Sequence, residues 1–283
     1  MQKIELIAKN NQFVVDEILS QKPNLNFSIL QKLLRKKDIR INNKKICQNT
    51  LTKTGDEICL FLEDKQKKQV EVVFENKEIA IVFKPQGMEV TKKDKVFCES
   101  DCLEDLFDGF YACHRLDKNT EGLVVLAKDK KIQQLMFDVF KKHKVKKFYK
   151  AIVVGNVKQR GENLIDYHKK EKEKVKIYSD PTSGGSKIKT NYTVKNREED
   201  LFLLDIELLT GKTHQIRAQL AHHGIFVVGD ERYGKKDVNK KYHTKKQLLC
   251  ASKLQFVEMP KELCKMDNLV VTAEPTFLKK YGF

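Results

Sequence analysis

One short stretch of the 283-residue chain concentrates groups that can do chemistry. His114, Arg115, Asp117, Lys118, Asn119 and Glu121 crowd around Leu116. Directly after them, Gly122 to Ala127 is an apolar run rich in Val and Leu, which reads as a buried strand. A polar loop that sets Asp117 beside a basic pair, braced by a buried strand, is where a catalytic carboxylate is expected. Such a group can serve as nucleophile or as base. Asp117 and Asn119 are also ordinary turn formers, so the loop alone does not separate chemistry from connection.

Two other stretches carry reactive or binding side chains. In the run Gly211-Lys-Thr-His-Gln-Ile-Arg-Ala-Gln-Leu-Ala-His-His-Gly, Gly211 permits a tight turn and Thr213 can cap a helix. Helical spacing puts His214, Arg217 and Ala221 on one face and Ile216, Leu220 and His223 on the next. Arg217 is thus carried near the start of a rigid element. Lys141 to Lys150, KKHKVKKFYK, interleaves six lysines with Phe148 and Tyr149 ahead of an expected strand from Ala151 to Val154. Phosphate neutralisation beside rings that stack on bases suits nucleic acid, although a solvated face explains the lysines one by one.

Charge points the same way. Lys and Arg number 55 against 39 Asp and Glu, a formal net charge of +16, which favours nucleic acid first and anionic membrane second. No apolar run approaches the ~20 residues that span a bilayer, and MQKIELIAKNNQF lacks the apolar core of a signal peptide. A cytoplasmic protein with reduced thiols is therefore expected, and no membrane partner. Cys98, Cys102, Cys113 and His114 can be written as a zinc set, but without a close C-x-x-C pair the expectation is no metal.

Around these stretches the chain divides. Residues 12–62 read as a small unit: Val14, Val15, Ile18 and Leu19 at helical spacing, then a helix through Ile29 to Leu34 with Asn26 or Ser28 as its cap. A hairpin turning at Asn42-Asn43 and a strand near Ile58 follow, with Lys32, Arg35, Lys36 and Lys37 forming a basic stripe. Residues 63–69, EDKQKKQ, read as a linker, and 70–283 as the main domain. That domain should hold strands on either side of Asn76-Lys77 and an amphipathic helix carrying Ile132, Leu135, Met136, Val139 and Phe140. A hairpin of KIKTNYTVKNR with LFLLDIELLT follows, then short strands at Ile225 to Val228 and Leu248 to Val257. Residues 158–186 read as a polar surface excursion, mobile until RNA binds. The fold class is α+β, with a mixed, mainly antiparallel sheet, because hairpins outnumber crossover helices.

Four stretches jointly resemble one family. FKPQGMEV, CHRLDKNTEGLVVLAK, KFYKAIVVG and LLTGKTHQIRAQLAHHGIFVVGDERYG are similar, in order and separation, to the Lys-Pro segment, catalytic loop, tyrosine strand and arginine helix of RluA-type pseudouridine synthases. Glu121 and Lys212 stand where Ser and Arg are common in that family. FSILQKLLRKKDIRINNKKI and KTGDEICLFL resemble the S-four-like (αL) RNA-binding domain, although FVVDEIL replaces its usual basic-led helix.

The resemblance implies isomerisation of uridine to pseudouridine without cofactor. Asp117 becomes the catalytic aspartate, Tyr149 the active-site tyrosine, Arg217 the partner of the aspartate and Arg115 the residue that displaces the target base. It further implies an RNA partner, 23S large-subunit ribosomal RNA ahead of transfer RNA, and no obligate protein partner. A non-catalytic RNA-binding or ribosome-assembly protein is the rival from another class. A hydrolase using His214 or Cys113 is a third reading, without a nucleophile-base pair at a recognised spacing.

Overall fold

The computed structural model of the chain describes residues 2–283 except 24, 26, 63–69, 92–101 and 172–173. It comprises two compact units, Met1–Gln69 with Lys92–Cys102, and Val70–Thr91 with Leu103–Phe283. The expected linker 63–69 and the expected cap Asn26 lie outside the described residues.

In the first unit, four antiparallel strands lie in the order Gln2–Ile7, Glu57–Leu62, Ile39–Ile41, Lys44–Ile46. The helices Val14–Gln21 and Phe27–Lys36 bury Val14, Val15, Ile18, Leu30 and Leu34 against Ile39, Ile58 and Leu60. Asn42 and Asn43 turn the hairpin with φ of 47° and 67°, a left-handed conformation that asparagine tolerates. Lys32, Arg35, Lys36 and Lys37 are exposed. The strand Gln2–Ile7 pairs with Glu57–Leu62 along its whole length, so this fold begins ahead of residue 12.

The second unit is built on one mixed sheet. Along its main path the strands run Lys174–Tyr178, Glu162–Glu171, Ser186–Glu198, Leu201–Leu208, Val145–Gly155, Leu249–Phe256, Glu121–Ala127, Ile79–Lys84 and Glu71–Glu75. Each neighbouring pair is antiparallel except Leu249–Phe256 with Glu121–Ala127. Glu121–Ala127 is buried throughout because both faces are covered. Val124 and Leu126 join one core with Ile216 and Leu220, while Leu123 and Val125 join another with Met136 and Val139 of the helix Lys130–Lys141. A strand covered on both sides needs a continuous apolar run, which is what the sequence carries here. Where it emerges from the polar loop, Gly122 has φ +118°, and a Cβ there would lie 2.3 Å from the Ala251 carbonyl oxygen. Only glycine fits that approach.

Three expectations are corrected. Residues 158–186 contain the antiparallel strands Glu162–Glu171 and Lys174–Tyr178. The strand Glu162–Glu171 alternates in burial, but two of its inward residues, Asp166 and His168, are polar, which hid it. The tyrosine strand starts at Val145 rather than Ala151, with lysines on its exposed or partly exposed positions. Finally, His214 and not Thr213 occupies the cap of the helix Gln215–His222, in left-handed backbone with φ 54°. No described helix is long and apolar enough to cross a membrane.

Candidate active site

The loop bearing Asp117 is held by its neighbours. The short strand Tyr111–Ala112 pairs with Glu121–Ala127, and the Val125 backbone N–H donates to Nε2 of His114 at 3.0 Å. Since Nε2 accepts, that imidazole is neutral with its proton on Nδ1. Burial, with Lys147 adding to it, lowers its pKa to about 3. Lys84, fully buried at the end of Ile79–Lys84, donates to the carbonyls of Met88 (2.9 Å), Pro85 (3.1 Å) and Lys118 (3.2 Å). The backbone N–H of Gly87 also donates to the Lys118 carbonyl, at 2.8 Å. The Lys-Pro segment thereby fixes the loop from beneath.

Arg217 meets this loop from the helix Gln215–His222, whose Ile216 and Leu220 are in the core. Its Nη1 donates to Oδ2 of Asp117 at 2.7 Å. Its Nε and Nη2 donate to the two oxygens of Asp230, at 2.7 and 2.9 Å. Burial works against every charge in this group. It would lower the pKa of Arg217, but the two carboxylates leave it raised. It would raise that of Asp230, but Arg217 and the N–H groups of Tyr233 and Arg232 leave it lowered. His214 stands 3.9 Å from Asp117 through Nε2, with Nδ1 3.0 Å from the Tyr233 hydroxyl. Burial outweighs the pull of Asp117 and lowers the His214 pKa.

Asp117, Arg115, Tyr149 and Arg217, which the sequence marked separately, line a single cavity of about 710 Å³. Tyr149 is buried, and burial, with Asp117 second, raises its pKa, so the phenol stays protonated. Arg115 is exposed at the cavity. Lys141, Lys147, Lys187 and Lys212 also line it, and Asp117 is the only carboxylate among the described lining residues. A confined space with one carboxylate amid cations suits an anionic substrate that presents a reactive group to that carboxylate.

Asp230 escaped sequence reasoning, because nothing in Gly229-Asp-Glu-Arg-Tyr-Gly separates it from Glu231 before the fold buries one and exposes the other. The buried role of Lys84 was equally hidden. Cys113 is buried and its thiol is pushed up to about 12, which removes it as a nucleophile for a hydrolase. No described cluster of His, Cys, Asp and Glu could hold a metal, and Cys98 lies outside the described residues.

Comparison with known proteins points to one family. The family model described as RNA pseudouridylate synthase matches residues 78–222. A ribosomal large subunit pseudouridine synthase C of Buchnera aphidicola subsp. Baizongia pistaciae is 28% identical, over 90% of this chain and 88% of the relative. An uncharacterized RNA pseudouridine synthase of Mycoplasma genitalium is 31% identical, over 88% and 87%. Among solved structures, human RNA pseudouridylate synthase domain containing 1 is alike in fold, with a TM-score of 0.61 at 21% identity over 78% of this chain and 89% of that one. The corresponding human domain containing 4 gives 0.57 at 21%, over 74% and 90%. The chain belongs to the RNA pseudouridylate synthase family and is an RNA pseudouridine synthase, an isomerase.

Proposed function

We propose that this enzyme isomerises specific uridines of 23S large-subunit ribosomal RNA, with Asp117 as the catalytic carboxylate acting on a flipped-out uridine. The observation that carries the reading is the 2.7 Å contact of Arg217 with Asp117 inside a cavity where, among the described lining residues, the other charged side chains are cations. The reaction breaks the bond from N1 of uracil to C1′ of ribose, turns the ring, joins C5 to C1′, releases the C5 proton and leaves N1 carrying a proton. It transfers no electrons. A carboxylate aimed by one arginine can attack sugar or base, or take a proton. The uridine must leave its stack to reach it, at a cost of a few kcal/mol. In this reading the ring of Tyr149 receives the flipped base and Arg115 fills the space it leaves. Large-subunit RNA is supported by the Buchnera relative, a ribosomal large subunit pseudouridine synthase C.

The first unit acts in the same proposal as an S-four-like RNA-binding domain, its exposed basic stripe facing phosphate. Deleting residues 1–62 is expected to weaken binding to a large-subunit transcript and flatten its salt dependence. An unchanged slope would make the unit a structural appendage.

The test of the main proposal maps carbodiimide-resistant reverse-transcription stops across ribosomal and transfer RNA from cells with and without the gene. Stops in large-subunit RNA should vanish on deletion and return with wild type but not with Asp117→Asn. Loss confined to transfer RNA would move the substrate. No change anywhere would remove the assignment.

A further inference from the structure

We propose that Lys147 centres a phosphate subsite of the cavity, holding a phosphodiester that flanks the uridine whose base reaches Asp117; this rests on the reading of the site given above. Lys147 and Tyr149 are two residues apart on Val145–Gly155, so their side chains share one face of the strand, and both line the cavity. The lysine lies against the turn that leads into the arginine helix. A Cβ built on Gly211 would be 3.2 Å from its Nζ.

What sets this ammonium apart from the other lysines of the cavity, which are exposed, is partial burial without a counter-charge. Among the described residues no carboxylate comes within 4.0 Å of Lys147, nor of Lys187 or Lys212 on the same cavity wall. Asp117 is engaged by Arg217 instead. Lys147 is partly buried, and burial alone lowers its pKa. An unpaired cation out of full contact with water destabilises the free protein, and an anion brought by the ligand offsets that. RNA supplies one anionic group per nucleotide, its phosphodiester. The exposed lysines elsewhere on the chain are hydrated already and gain less from the same contact.

The experiment compares wild type, Lys147→Met and Lys147→Arg. Methionine keeps the unbranched stem and removes the charge. Binding of a large-subunit ribosomal RNA transcript is followed over a KCl series, and turnover as tritium release from the same transcript made with [5-³H]uridine. Thermal unfolding without RNA completes the set. Lys147→Met should bind about tenfold more weakly. The slope of log affinity against log salt should fall by about 0.7–0.9. Lys147→Arg should restore both. The methionine variant should melt no lower than wild type, which a structural lysine would not permit.

Turnover lost at an unchanged salt slope would put the lysine on a uracil carbonyl and overturn the phosphate subsite. A lower melting point with unchanged binding would overturn it in favour of a packing role. Wild type that releases no tritium from this transcript would defeat the proposed substrate, while the slopes would still decide the lysine.

Discussion

The loop carrying Asp117 and the loop carrying Asp230 both end on Arg217, and they hold it differently. Asp230 is fully buried and takes four donors, Nε and Nη2 of Arg217 and the N–H groups of Arg232 and Tyr233. Asp117 is 23% exposed and takes only Nη1 of Arg217 among the described hydrogen bonds to its carboxylate. One carboxylate is spent on its surroundings. The other keeps lone pairs facing the cavity. The difference extends to the loops: Asp230 is itself the brace of its turn, whereas Lys84 and His114 brace the turn of Asp117. A carboxylate that does not support its own loop is free to react.

Two substitutions test that division most sharply. Asp117→Asn should lower turnover by at least about a thousandfold. Its unfolding free energy should stay within about 1 kcal/mol of wild type, because the site is part-exposed and singly bonded. Asp230→Asn should do the reverse in proportion. Losing one partner of a buried pair costs roughly 3–5 kcal/mol. Turnover should fall about a hundredfold as Arg217 loses its two-point support. Urea unfolding with single-turnover tritium release measures both. An Asp230→Asn protein as stable as wild type would break the comparison.

Lys84→Met addresses the brace beneath Asp117. The carbonyl of Met88 loses its described donor, and those of Pro85 and Lys118 lose one each. A buried acceptor left unmet costs roughly 1–3 kcal/mol. Turnover should fall with stability here, although Lys84 does not line the cavity. Full activity in the destabilised protein would mean that the loop keeps its geometry without the lysine.

How much of this the sequence disclosed follows from where polarity lies. Gly122–Ala127 was legible because its burial on both faces demands an unbroken apolar run. The Asn42-Asn43 hairpin was legible because few residues tolerate that backbone. Glu162–Glu171 was not, since Asp166 sits inward and its described partners are Gln219 (2.7 Å) and His223 (2.9 Å), residues more than 50 positions later. Period-two reading counts apolar residues, so a strand with polar inward positions looks like loop. Within the site, Asp117, Arg115, Tyr149 and Arg217 were marked because family motifs carry them. Asp230 and Lys84 owe their roles to burial and to partners, Arg217 and the Lys118 carbonyl, that only the fold brings to them.

The smallest effect concerns His114, the other brace of the Asp117 loop. Folded, its pKa is about 3 because burial excludes the charged form; unfolded, it returns to the ordinary 6.5. Between those values the unfolded chain binds a proton that the folded chain does not, so stability falls as pH drops from 6.5 toward 3. At pH 5, still well above the folded value, this group alone removes about 2 kcal/mol. Asp230 makes no such demand there, since its lowered pKa keeps it ionised. Urea unfolding at pH 7.5 and pH 5.0 should therefore show wild type losing about 2 kcal/mol more than His114→Gln, which has no imidazole to protonate. Equal losses in the two proteins would mean that His114 does not brace the loop by staying neutral, and would leave Lys84 to hold Asp117 in place alone.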